Sequence, residues 1–200
     1  MPVKLEEDNE KKEEIQDTEK KVEFLDIDST HWAWEYINKM YQKGVINGKS
    51  EKLFDPEGLV TREEFVKMLV IAAGYSIENA ESGFSDVSKI AWYYPYVSIA
   101  KKNGIINGVT EEVFGVGAPI KRQDMFVIIY RTMLKKEGKS EGLNGQLPFD
   151  DAEEVSEYAK KALETMYRMN ILSGSNNLCN PNKNATRAEA TKVLCEALAE

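Results

Sequence analysis

Histidine and cysteine are nearly absent from this 200-residue chain, which has one histidine, His31, and two cysteines, Cys179 and Cys195. Two cysteines are too few for a disulfide framework, and without a CxxC pair or a Cys/His cluster no metal site is indicated. Each cysteine is read as a buried free thiol, with a bridge between the two as the alternative. A single histidine removes most Ser/His and Cys/His machinery. The GxSxG, HExxH, P-loop and Rossmann glycine patterns are missing as well. Nothing singles out a pair among the 34 acidic residues, so glycoside hydrolysis finds no candidate acid and base. The chain is therefore expected to be neither an enzyme nor a holder of a cofactor.

Long hydrophobic runs are also missing, and none approaches the roughly 20 residues of a spanning helix. The first residues carry no apolar h-region, so a chain that works outside the cell is expected to be a mature part of its protein. Basic excess is missing too: formal net charge is −8 and the pI is near 5.0, which argues against a nucleic-acid partner. An anionic ligand in a local pocket is still compatible with that charge. Calcium finds little support in Asp26-Ile27-Asp28 or Asp150-Asp151, because the central glycine and terminal glutamate of an EF loop are lacking.

Against these absences stands a threefold internal repeat. Phe24-Leu25-Asp26, Phe84-Ser85-Asp86 and Phe149-Asp150-Asp151 open the copies. Trp32, Trp92 and Tyr158 follow, then the turns ending in Gly48, Gly108 and Gly174, then Arg62, Arg122 and Arg187. From the first copy to the second these landmarks shift by 60 residues, and from the second to the third by 65 or 66. Repeats of this length are too long for tetratricopeptide units.

Each copy reads as helix, turn, helix, so the expected class is all-α. Trp32, Tyr36, Ile37, Met40 and Tyr41 share one helical face, as do Trp92, Tyr96, Val97 and Ala100, and Ala159, Ala162, Leu163, Met166 and Tyr167. Gly44, Gly104 and Asn170 stand where a left-handed C′ residue ends a helix. Thr61 with Glu64 and Thr186 with Glu189 form capping boxes at the second helix. Lys121 and Asp124 break that box in the second copy. The expected layout is a charged linker over 1–23, then repeats over 24–83, 84–148 and 149–200 folding as one unit, with loops over 74–83 and 135–148.

The succession Phe-x-Asp, Trp-Ala, Gly-Ile-Ile-x-Gly, Phe-x-Pro and Thr-Arg-Ala-Glu resembles the S-layer homology module. It is fullest in the first copy, with Phe24 and Asp26, Trp32-Ala33, Gly44-Val45-Ile46-Asn47-Gly48, Phe54-Asp55-Pro56 and Thr61-Arg62-Glu63-Glu64. The resemblance covers about residues 24–200. It implies a pseudo-threefold domain with grooves between repeats, placed outside the cell at the wall or S-layer of a Gram-positive bacterium. It also implies non-covalent anchoring of cargo domains through a secondary cell-wall polysaccharide, often ending in pyruvylated N-acetylmannosamine. A helical-repeat module binding a protein partner is the other reading.

On this resemblance Arg62, Arg122 and Arg187, each at a helix start, are candidate receptors for the ketal carboxylate. Gly48, Gly108 and Gly174 would let backbone approach the sugar. Trp32, Trp92 and Tyr158 would offer a flat apolar face, and Asp26, Asp86 and Asp151 would accept from sugar hydroxyls or orient the arginines. Taken alone, the same residues also fit solvated arginines, turn glycines, core aromatics and N-cap aspartates. The second copy lacks the proline, having Phe114-Gly115-Val116, and the third has Cys179 where the others have phenylalanine, so the grooves are expected to be unequal.

Overall fold

The computed structural model describes residues 24–137 and 146–198. The linker over 1–23 and the middle of the 135–148 loop lie outside the described residues. The described residues form six α-helices: α1 (Trp34–Gln42), α2 (Arg62–Ala72), α3 (Tyr94–Lys102), α4 (Arg122–Glu137), α5 (Glu157–Arg168) and α6 (Arg187–Leu198), with a short 3-10 turn at Ala152–Glu154. Among the described residues there is no β-sheet, only isolated bridges, so the class is all-α as expected. No helix among them is long and apolar enough to cross a membrane.

Helix ends follow the sequence signals closely. Thr61 caps α2 while Glu64 returns a carboxylate to the Thr61 N–H, 3.0 Å away. Thr186 and Glu189 form the same reciprocal pair at α6, at 3.0 and 3.2 Å. Gly44 ends α1 at φ +69°, with its N–H on Tyr41 O and the Val45 N–H on Met40 O. That pattern is a Schellman motif. Gly104 and Asn170, at φ +69° and +59°, end α3 and α5 in the same way.

The first helices start later than the apolar stripe suggested. α1 begins at Trp34, behind an Ala33 that offers no side-chain cap. Trp32 therefore stands outside the helix and outside the core, while Ile37 and Met40 carry the buried face.

Packing runs across repeats. α2 lies against α3, α4 against α5 and α6 against α1, so each first helix docks on the second helix of the preceding repeat. Three backbone hydrogen bonds close a ring at the centre. The Val60 N–H donates to Ala185 O at 3.2 Å, the Ala185 N–H to Ile120 O at 2.9 Å, and the Ile120 N–H to Val60 O at 3.0 Å. All three residues are fully buried, where an unpaired backbone group would be costly. A second ring joins the Arg62, Arg122 and Arg187 N–H groups to Ala118 O, Lys183 O and Gly58 O, each at 2.9 Å. Every helix thus buries its apolar face against a neighbouring repeat, as interdependent repeat units must.

Both cysteines are buried and free. Burial first, then the Asp151 carboxylate 3.2 Å from its sulfur, pushes the Cys179 thiol up to about 12. Cys179 therefore carries no thiolate at neutral pH.

Candidate functional site

The loop between the two helices of each repeat is held from within. Asp86 accepts from the backbone N–H groups of Phe114, Gly115 and Val116 at 2.8, 2.7 and 2.9 Å. Asp26 accepts from Phe54 and Asp55 at 2.9 and 2.6 Å. Asp151 accepts from Cys179 and Asn180 at 2.8 and 2.7 Å. These carboxylates are engaged in shaping the loops. The Phe24, Phe84 and Phe149 rings lie under Gly48, Gly108 and Gly174. None of these three glycines has a left-handed backbone.

Burial pulls the Asp86 and Asp151 carboxyls upward, but the N–H donors outweigh it and hold both below the ordinary carboxylate range. Their folded values lie below the unfolded value of about 3.9. The stability they contribute is therefore present above that value and lost as pH falls through the depressed folded values. Acid titration followed by tryptophan fluorescence is expected to show this loss below about pH 4. Asp86→Asn and Asp151→Asn should be less stable near neutrality and flatter in that window. An unchanged acid limb would mean the loop clamps carry no linkage.

Each arginine occupies the first position of its helix, as expected, yet its side chain reaches into the next repeat. Arg62 donates through Nε to Phe114 O at 3.0 Å and through Nη2 to Asn107 O at 3.2 Å. Arg187 repeats this with Phe54 O and Asn47 O, both at 2.9 Å. Arg122 donates to Cys179 O at 3.1 Å. The guanidinium groups of Arg62 and Arg187 also sit over the Phe114 and Phe54 rings, 5.0 and 4.7 Å from the centroids. Arg62, Arg122 and Arg187 are 7%, 9% and 7% exposed. Burial lowers the Arg62 and Arg187 pKa values, but a guanidinium stays charged at neutral pH.

Three grooves open beside these arginines, and every repeat contributes to each. Groove 1, about 220 Å³, takes its loop from Val45 to Lys49, one wall from Glu64, Lys67 and Met68 of α2, Arg187 from the third repeat and Trp92 from the second. Groove 2, about 410 Å³, combines Asn107 to Val109 and Asp124 to Arg131 with Arg62 and Tyr158. Groove 3, about 530 Å³, combines the Ile171–Asn176 loop and the Glu189–Val193 stretch of α6 with Arg122 and Trp32. Contributions rotate by one repeat from groove to groove.

The structure thus gathers an arginine, a glycine and an aromatic of the sequence-derived set into each groove. Trp32, Trp92 and Tyr158 are 51%, 53% and 57% exposed, so they are groove walls, and the reading of the tryptophans as core is overturned. Reading the sequence missed the acid at the third helical position of each wall, Glu64, Asp124 and Glu189, as a groove group. It also missed the cations one turn on, Lys67 and Lys192, and Arg131 one turn further. Their helical spacing from the arginines was a usable signal, but lysines on a helix face look like solvated surface. Lys67 lies 5.5 Å from the Trp92 ring centroid, which pairs cation and aromatic in one wall. Groove 2 has Val127 there, and its Tyr158 hydroxyl donates to Asp124 at 2.5 Å. Burial, then that carboxylate, pushes the Tyr158 phenol up to about 12.

Comparison with known proteins places the same three segments in a family. The S-layer homology domain matches at residues 23–66, 83–126 and 148–191. An endoglucanase of Bacillus sp. (strain KSM-635) is 28% identical over 176 residues, 88% of this chain but 18% of the relative. An amylopullulanase of Thermoanaerobacterium thermosulfurigenes is 30% identical over 86% of this chain and 9% of its own length. The S-layer protein sap of Bacillus anthracis is 27% identical over 86% of this chain and 21% of its own. The chain thus spans a fifth or less of the first two relatives, and the segment occurs in proteins named for catalysis and in one named for a surface layer. With three ordered copies of the motif, each lending its loop to one groove and its arginine to the next, the chain belongs to the S-layer homology domain family.

Proposed function

We propose that the chain anchors a surface protein to the bacterial cell wall by binding an anionic secondary cell-wall polysaccharide in its inter-repeat grooves. Membership of the family, whose relatives include surface-layer proteins, supports a cell-surface location and an anchoring role. The finer reading rests on one observation: on a chain of net charge −8, each groove sets a buried arginine beside an exposed aromatic. In grooves 1 and 3 three cations face one carboxylate. A sugar ring bearing a fixed carboxylate, such as pyruvylated N-acetylmannosamine, matches this arrangement. Its carboxylate meets the guanidinium and its apolar face meets the indole.

Sedimentation with Gram-positive wall sacculi tests the proposal. Pelleting with intact walls and no pelleting after mild acid removes the secondary polymer is expected. The Trp32→Ala, Trp92→Ala double variant should bind about tenfold or more weakly while its melting temperature stays near the parent value, because both indoles are exposed. Equal pelleting with intact and stripped walls would reject the polymer as ligand.

A further inference from the structure

Each groove places a carboxylate at the third position of its helical wall, next to the arginine from the preceding repeat, and that carboxylate meets a different fate in each. In groove 3 one oxygen of Glu189 lies 3.1 Å from Arg122 Nη1. In groove 2 Asp124 lies 3.7 Å from Arg62 Nη1, and its other oxygen takes the Tyr158 hydroxyl. In groove 1 Lys49 Nζ takes Glu64 Oε1 at 2.5 Å, and the Thr61 N–H takes Oε2. Among the described residues no carboxylate lies within 4.0 Å of Arg187. The residue that makes the difference follows the groove glycine: Lys49 in the first repeat, Val109 in the second and Ser175 in the third.

We infer that groove 1 is the preferred seat for the ligand carboxylate, because Lys49 draws Glu64 away and leaves the Nη1 edge of Arg187 open. The inference rests on the anionic-sugar reading above and adds which groove fills first and which side chain decides it. Lys49 is a positioning residue: it acts on the receptor arginine through Glu64. The second cation of the wall agrees. Lys67 sits over Trp92 with no carboxylate among the described residues within 4.0 Å, whereas Lys192 of groove 3 is held by Glu196 at 2.7 Å. Groove 2 has Val127 in that place. Groove 1 thus presents an unpaired arginine edge, an unpaired lysine and an indole along one wall.

Indole N–H resonances separate the grooves, since Trp92 reports groove 1, Trp32 reports groove 3, and Trp34, on α1 and in none of the grooves, serves as the control. The chain is titrated with the methyl glycoside of pyruvylated N-acetylmannosamine, with the unmodified glycoside and free pyruvate as control arms. The Trp92 resonance is expected to saturate first, and only with the pyruvylated sugar. Lys49→Ser, which installs the groove 3 residue, should weaken binding at Trp92 roughly fivefold, the scale of one part-exposed ion pair, and leave Trp32 unchanged. Adding Glu64→Gln should restore it, because glutamine keeps the capping box but offers Arg187 no charge. Saturation of Trp32 first, or equal saturation of both, overturns the inference, as does a Lys49→Ser loss that Glu64→Gln leaves unrescued. Retained wall pelleting with either of those results leaves the anchoring proposal standing. Loss of every indole shift together with loss of pelleting sinks both.

Discussion

Replacing Arg187 with alanine is expected to lower the unfolding free energy by about 3 kcal/mol, the scale of removing a charged donor from one buried and one part-buried carbonyl. The orphaned groups are Phe54 O, whose bond from Nε is buried, and Asn47 O at the groove floor. The contact with the Phe54 ring goes with them. Arg187 to Phe54 spans 133 residues and ties the third repeat back onto the first, so its loss opens the ring where no local chain connection holds it. Urea denaturation checks the prediction: the midpoint should fall by roughly 1.5 M for an m-value near 2 kcal/mol/M. Arg187→Lys should recover only part of the loss, since an ammonium lacks the fork that serves two carbonyls at once. A midpoint unchanged in Arg187→Ala would mean water replaces the side chain, and that the arginine does not staple the repeats.

This expectation departs from what the sequence alone suggests. A helix-start arginine carries little core in most proteins, so its removal would be expected to spare the fold and affect only a ligand. Here the backbone ring that holds the Arg187 N–H on Gly58 O fixes where the side chain leaves the helix. From there the guanidinium crosses into the neighbouring loop. The proposed receptor is also a staple between repeats, so a binding assay on an alanine variant must be read beside its stability. Substitutions of the exposed Trp92 or of Lys49 escape that entanglement.

Local signals were legible and partners were not. The capping boxes at Thr61 and Thr186 and the C′ residues Gly44, Gly104 and Asn170 depend on neighbours within a few positions, and all function where the pattern places them. Trp32 misleads because it stands at helical spacing from Tyr36, while nothing at Ala33 marks a start; the apolar stripe runs two residues beyond the helix. Periodicity identifies a buried face but not the face it meets, which is why the docking of α6 on α1 needed the structure. The same limit hid which residues share a groove: Arg187, Gly48 and Trp92 come from three repeats. Charge misled in the other direction, since Lys67 and Lys192 resemble solvated surface until Trp92 and Glu196 are found beside them.

Gly108→Ala is expected to be at least as damaging as Arg187→Ala, at about 3 kcal/mol or more, as is typical when a well-packed site must shift backbone. A Cβ built there would lie 2.2 Å from Val113 O, 2.3 Å from Thr110 O and 2.8 Å from the Phe84 ring. Two of these are backbone carbonyls that cannot step aside. The Thr110 N–H is bonded to Val113 O, and the next N–H, that of Phe114, is held by Asp86. Gly104→Ala is the control, because its φ is +69° but a Cβ there meets nothing within 4 Å. It should cost only the 1 kcal/mol or so of a left-handed alanine. A larger loss at Gly104 than at Gly108 would show that turn conformation, not the space above Phe84, dictates glycine in the loop. The expected order ties the motif together physically. The phenylalanine that opens each repeat lies under the glycine, the aspartate two residues later clamps the far side of the same loop, and the arginine of the neighbouring repeat bonds that loop's carbonyls. In this arrangement glycine is required by the loop's own closure, and the polar backbone lining the groove is a consequence of it.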